Sequence, residues 1–137
     1  MSGVFEALTS DVLASAGVTI VKRIGDAVMY TTHDPVLAVR VALELVDAFA
    51  ADEAVPPVRV GLAAGQVVAR RGDFYGLPVV LAARLQSMAL PSTVLVDTQL
   101  ADRLRGLEVV RILPYGDREL SGFPDPVTVH ELRRPGT

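Results

Sequence analysis

Cysteine is absent from the 137 residues. That excludes disulfides and thiolate metal sites and suits a reducing compartment. Histidine is scarce. His33 and His130 stand far apart and offer no metal-ligand spacing. An excess of basic charge is also missing. The formal net charge of −3 argues against electrostatic binding of bulk nucleic acid or an anionic membrane. No apolar run is long enough to span a bilayer, because Arg40, Glu44 and Asp47 interrupt the richest stretch, residues 35–51. Glu6 and Asp11 break the start, so no signal peptide is visible. Internal repeats and low-complexity tracts are lacking too. A cytoplasmic location is expected from these absences together.

What remains is a chain that is 50% apolar. Its length fits one domain over residues 1–137, able to bury roughly two thirds of the unfolded surface. Phe5, Leu8 and Val12 recur at helical spacing, with Gly17 as a stop. Residues 18–24 and 27–32 read as strands joined by a tight Gly25-Asp26 turn. Asp34-Pro35 supplies a cap and a first turn, and Leu37, Val41, Leu45, Ala48 and Phe49 continue at helical periodicity. Residues 58–63 and 67–70 read as strands turned at Gly65. Residues 72–76 read as a loop and 77–88 as a helix. Residues 93–96 make a short buried strand, and 98–104 a short helix closed by Gly106. Residues 109–113 and 127–132 are further strands, separated by a Gly/Pro-rich connector. Strands and helices alternate without strict βαβ regularity. That pattern predicts an α+β sandwich with helices on one sheet face.

Several polar residues sit where such elements have no local need of them. Lys22 lies among Ile20, Val21 and Ile24 and must reach solvent, a partner or a ligand. An edge-guarding lysine is the ordinary alternative. Asp26 follows four residues later, and on an extended strand the two share a face. It is a candidate metal carboxylate, since magnesium takes one or two carboxylates plus phosphate oxygens. Its ordinary alternative is a turn residue. Asp73 stands in the loop before a helix, where a plain loop carboxylate is the alternative. Val80 and Arg84 are spaced i, i+4 and share a helix face. Arg84 is the only charged residue of its helix, and a forked guanidinium suits phosphate, with a surface salt bridge as the alternative. Arg70 and Arg71 read as a solvated patch. Together these residues suggest a site for an anionic, hydrogen-bonding ligand.

The order of these pieces resembles the catalytic domain of class III adenylyl/guanylyl cyclases. The resemblance runs through residues 21–29 (VKRIGDAVM), 58–65 (VRVGLAAG), 72–76 (GDFYG), 82–85 (AARL) and 120–122 (LSG), and so covers nearly the whole chain. It implies an α+β, ferredoxin-like nucleotide-cyclase fold, with helices packed on a mostly antiparallel sheet. It also implies head-to-tail pairing, as a homodimer or with another cyclase domain, and composite sites at the interface. There ATP loses pyrophosphate as its 3′-hydroxyl attacks the α-phosphate, with Mg2+ or Mn2+ held by two aspartates. Under the resemblance Asp26 matches the second metal aspartate. Lys22 matches the purine-reading lysine and Asp73 its acidic partner. Adenine offers a ring-nitrogen acceptor to the lysine and an amino donor to the carboxylate; guanine would need the opposite pattern. Arg84 matches the arginine that stabilises charge on the phosphates in the transition state.

The sequence departs from that family at three places. The family's first strand, with the first metal aspartate, is expected to precede Met1, and its absence would leave neighbouring strands without backbone partners. Val80 stands where the family usually has a ribose-orienting asparagine. Ser121 stands where many relatives have a lysine for the terminal phosphates. Each lost donor typically costs about 10²–10³ in rate. The isolated chain is therefore expected to be a weak adenylyl cyclase or a degenerate module that dimerises with or regulates a partner. A ferredoxin-like domain binding another small molecule is the third alternative.

Overall fold

Asp34 starts the longest helix by capping it. Its Oδ1 accepts the N–H groups of Val36 at 3.0 Å and Leu37 at 3.3 Å, and Pro35 fills the first turn. The computed structural model describes residues 18–24 and 27–136, without the side chains of 21–24 and 27. The expected helix around Phe5, Leu8 and Val12 lies outside the described residues. The described elements are β1 (Thr19–Ile24), β2 (Ala27–Thr31), α1 (Pro35–Ala50), β3 (Arg59–Leu62), β4 (Val68–Arg70) and β5 (Asp73–Tyr75). They continue with α2 (Leu77–Met88), β6 (Thr93–Asp97), α3 (Thr98–Leu104), β7 (Arg111–Arg118) and β8 (Val127–Arg133). The fold is α+β. Every described strand pairing is antiparallel except β3 with β6.

The main sheet has the order β3-β6-β8-β7, and its centre explains the layers. Strand β6 is buried from Val94 to Asp97, so both of its faces need cover. Val94 and Val96 join Val39, Ala42 and Leu43 of α1 and Leu100 and Leu104 of α3. Leu95 points the other way, to Leu85 and Ala89 beside α2. Helices therefore lie on both faces of this sheet, not on one as the alternation of elements predicted. The sequence marked residues 93–96 as a short buried strand, and burial of both Leu95 and its neighbours Val94 and Val96 demands two covered faces.

Helix α2 approaches β3 very closely. A Cβ added at Gly61 would lie 2.3 Å from both the Ala82 carbonyl oxygen and the Gln86 nitrogen, so only glycine fits there. Strand β7 corrects a second expectation. It runs from Arg111 to Arg118, starting later and ending five residues beyond the predicted Leu113, with a register shift between Pro114 and Gly116. The shift lets a proline and a glycine sit inside a strand.

Two ribbons stand apart from the main sheet: β1-β2 and β4-β5. Among the described residues, β1-β2 shares no backbone ladder with β3. Helix α1 spans that seam. One of its faces enters the main core, while Val41, Leu45 and Phe49 pack with Val28 and Tyr30 of β2. The Tyr30 hydroxyl donates to the Ala38 carbonyl at 2.9 Å, and burial holds its pKa well above the ordinary phenol value. No helix among the described residues is long and apolar enough to cross a membrane.

Candidate functional site

The β4-β5 ribbon is tighter than the sequence suggested. Residues 72–76 were expected as a loop, yet 73–75 form a strand paired to 68–70 through a two-residue turn. Arg71 and Gly72 both hold positive φ, 53° and 78°, as a twisted hairpin turn demands. Arginine is an unusual occupant of such a position, which hid the turn. Asp73 therefore starts a strand opposite Arg70 instead of standing in a loop. It is half-buried, and its Oδ1 accepts the N–H of Phe74 at 2.8 Å. Arg70 and Arg71 are exposed, as expected.

Lys22 lies on β1, in register with Met29, just past a register shift after Ile20. Strand β1 runs beside β5, with Cα atoms within 8 Å. The lysine strand and the Asp73 strand thus come together across about fifty residues of sequence. The Lys22 side chain and the whole of Asp26 lie outside the described residues. Ile24 and Ala27 are partners, and the expected Gly25-Asp26 turn between them lies outside the described residues.

Tyr75 leads through Gly76 into α2. Gly76 caps that helix at φ 139° with no side-chain bond, and Pro78 occupies its first turn. Leu85 faces the sheet and is fully buried, while Leu77, Val80 and Arg84 are exposed. The Arg84 Nε–H donates to the Ser121 carbonyl at 3.1 Å. Sequence reading offered a salt bridge as the ordinary role for Arg84. Its partner is a neutral carbonyl, so its charge stays uncompensated by any described side chain. Val68 and Tyr75 are cross-strand partners, each 54% exposed, and Leu77 is 66% exposed. Val80, on the helix face that it shares with Arg84, is exposed as well.

Asp97 was not singled out from sequence. It is only 6% exposed. Its Oδ1 accepts the N–H groups of Leu100 at 3.1 Å and Ala64 at 3.3 Å, so it caps α3 and fastens the segment that leads from β3 to β4. Burial pushes its carboxyl above the ordinary value of 3.8. The backbone N–H groups and the nearby His130 pull the other way without cancelling that. Asp97 helps wall a cavity of about 420 Å³ at the N-terminal end of α2, together with Gly65, Pro78, Leu81 and Phe123. An aspartate directly before a helical run is a cap signal that could have found it. Its second bond, to Ala64, has no local signal.

The structure thus unites the strands of Lys22 and Asp73 and continues directly into the helix of Arg84. Among the described residues, no three histidine or acidic side chains gather as a metal site. Residues 4–133 match the model of the adenylate and guanylate cyclase catalytic domain. The chain belongs to this family. An uncharacterized protein of Mycobacterium tuberculosis is 44% identical over 128 residues, covering 93% of this chain and 33% of that protein. An adenylate cyclase of Streptomyces coelicolor is 45% identical over 100 residues, covering 73% of this chain and 26% of that enzyme. This cyclase domain therefore spans about a third or less of these curated relatives. An adenylate/guanylate cyclase/hydrolase from Silicibacter pomeroyi has a solved structure that superposes with a TM-score of 0.80. The two are 26% identical, over 95% of this chain and 80% of that one. The α+β architecture described above is the cyclase fold.

Proposed function

We propose that residues 1–137 form a single adenylyl-type cyclase domain that handles ATP in a cytoplasmic setting. Lys22 and Asp73 read the purine, and Arg84 faces the phosphates. The observation that carries this reading is the approach of β1 to β5, which brings the lysine strand beside the aspartate strand. The tether on Arg84 supports it as well. Nε is engaged by the Ser121 carbonyl, and no described group takes the two terminal nitrogens, which suits them to bind the phosphate that the 3′-hydroxyl attacks. Asp26 is the proposed ligand for Mg2+ or Mn2+, and the described residues add no metal cluster of their own. A bound ion would neutralise charge on the phosphates. The exposed apolar side chains of Val68, Tyr75, Leu77 and Val80 support pairing with a second copy or with another cyclase domain.

A second reading has its own observation. Val80 offers no hydrogen bond on the helix face it shares with Arg84. The missing hydrogen bond at Val80, together with a short neutral serine side chain at position 121 where many relatives have a lysine, favours a degenerate module that lends its residues to a partner's site and regulates it. Incubation of the full chain with MnATP, alone and mixed with an active homologue, tests both readings. Cyclic AMP from the chain alone supports the first, and an Arg84→Ala variant should then lose about 10²-fold or more in rate. A changed rate only in the mixture supports the second. Lys22→Glu should weaken ATP relative to GTP. No product, no effect on the homologue and no ATP binding by calorimetry would overturn the nucleotide reading.

A further inference from the structure

Residues 120–123 form a hydrogen-bonded turn in which the Phe123 N–H donates to the Leu120 carbonyl at 3.1 Å. Gly122, the third residue of the turn, has φ +90°. Ser121 before it does not have positive φ; among the described non-glycine residues only Arg71 and Ser92 do. A negative φ followed by a positive one marks a type II turn. The central peptide of a type II turn is rotated by about 180° relative to type I, so its carbonyl points to the opposite side. Here that carbonyl belongs to Ser121, the acceptor of the Arg84 Nε–H.

The first end of the turn is packed into the core beside α2, and the last borders a cavity at its N-terminal end. Leu120, like Leu81, packs against the cluster around Leu85. Phe123 shares the cavity wall with Pro78 and Leu81. With the ends so placed, the orientation of one peptide plane decides whether Arg84 has an acceptor. We infer that Gly122 is a positioning residue for Arg84: its left-handed backbone aims the Ser121 carbonyl at the guanidinium and so fixes where the terminal nitrogens point. The inference deepens the proposed phosphate role of Arg84 and rests on it for its functional consequence. A Cβ added at Gly122 meets nothing within 4 Å, so substitution there acts through the backbone angle and not through a clash. Asparagine tolerates positive φ, whereas a β-branched residue does not.

The test uses the 15N-labelled full chain and the arginine Nε–Hε resonances, with that of Arg84 assigned by its loss in Arg84→Lys. Hydrogen exchange of the Arg84 Hε should rise about tenfold in Gly122→Val and stay near the wild-type rate in Gly122→Asn. If Gly122→Val does not fold, Gly122→Ala gives the same contrast with less strain. Unchanged exchange in the strained variant, or equal loosening in Gly122→Asn, overturns the inference. MnATP affinity forms a separate arm. Looser Hε together with weaker ATP binding supports both positioning and the phosphate role. Looser Hε with unchanged ATP binding supports positioning and removes the phosphate role instead.

Discussion

The main sheet and the two ribbons are built on different terms. Strands β6 and β8 at the sheet centre are covered on both faces, and Leu95, Val96 and Val129 have no exposed surface. The β4-β5 ribbon is three residues a side, with all of β4 exposed. Yet Lys22 and Asp73 ride on the ribbons and Arg84 on the exposed face of α2. The difference shows how this domain separates stability from chemistry. Apolar burial fixes the platform, and short elements held by a few contacts present groups that must stay open to a ligand.

Four substitutions would break or sharpen that contrast. The largest effect is expected at Gly61→Ala. Its Cβ would collide with two backbone atoms of α2, and overpacking of this kind should cost at least about 3 kcal/mol in urea unfolding. A smaller loss would mean that α2 can lift from β3 and is less a part of the platform. Asp34→Ala removes the cap of α1, the helix that joins the β1-β2 ribbon to the core. About 1 kcal/mol should disappear from the unfolding free energy.

Asp97 ties platform to ribbon, and its contribution depends on pH. Burial raises its folded pKa above the unfolded value of 3.8, so the fold binds the proton more readily than the unfolded chain. This group alone makes the fold less stable as pH rises from 3.8 through the elevated folded value, and the penalty is relieved as pH falls back. Asp97→Asn keeps an oxygen for Leu100 and Ala64 and should flatten that part of the stability profile in urea titrations between pH 4 and pH 7. An unaltered profile would show that the carboxyl is not penalised in the fold. The smallest stability effect belongs to Arg84→Ala, about 0.5 kcal/mol or less by thermal melting, because its one bond joins exposed groups. A loss as large as that of Gly61→Ala would place Arg84 in the platform and end the division drawn here.

Much of the platform was legible in the sequence. The Asp34-Pro35 pair announces α1, the 77–88 run matches α2 to the residue, and Gly106 closes α3 at φ 80°. Caps, prolines and periodicity act within a few residues, so one stretch of chain holds the whole signal. The ribbons were less legible. The Arg71-Gly72 turn lacks the usual asparagine or aspartate, so Asp73 was expected in a loop. The extent of β7 was hidden because Pro114 and Gly116 break strand patterning and only pairing with β8 restores it. Lys22, Asp26, Asp73 and Arg84 were chosen by their likeness to a family pattern. Residue chemistry alone left each with an ordinary alternative.

The sequence by itself determined where α1, α2 and α3 begin and that residues 93–96 would form a buried strand, since those outcomes follow from neighbouring side chains and backbone groups. Only the tertiary structure decided that Asp97 would lose its water, that β1 would lie beside β5, and that Arg84 would meet a carbonyl 37 residues away. Those are contacts between distant segments. Their energies depend on which surfaces are brought together and dehydrated, and no local stretch of chain encodes that.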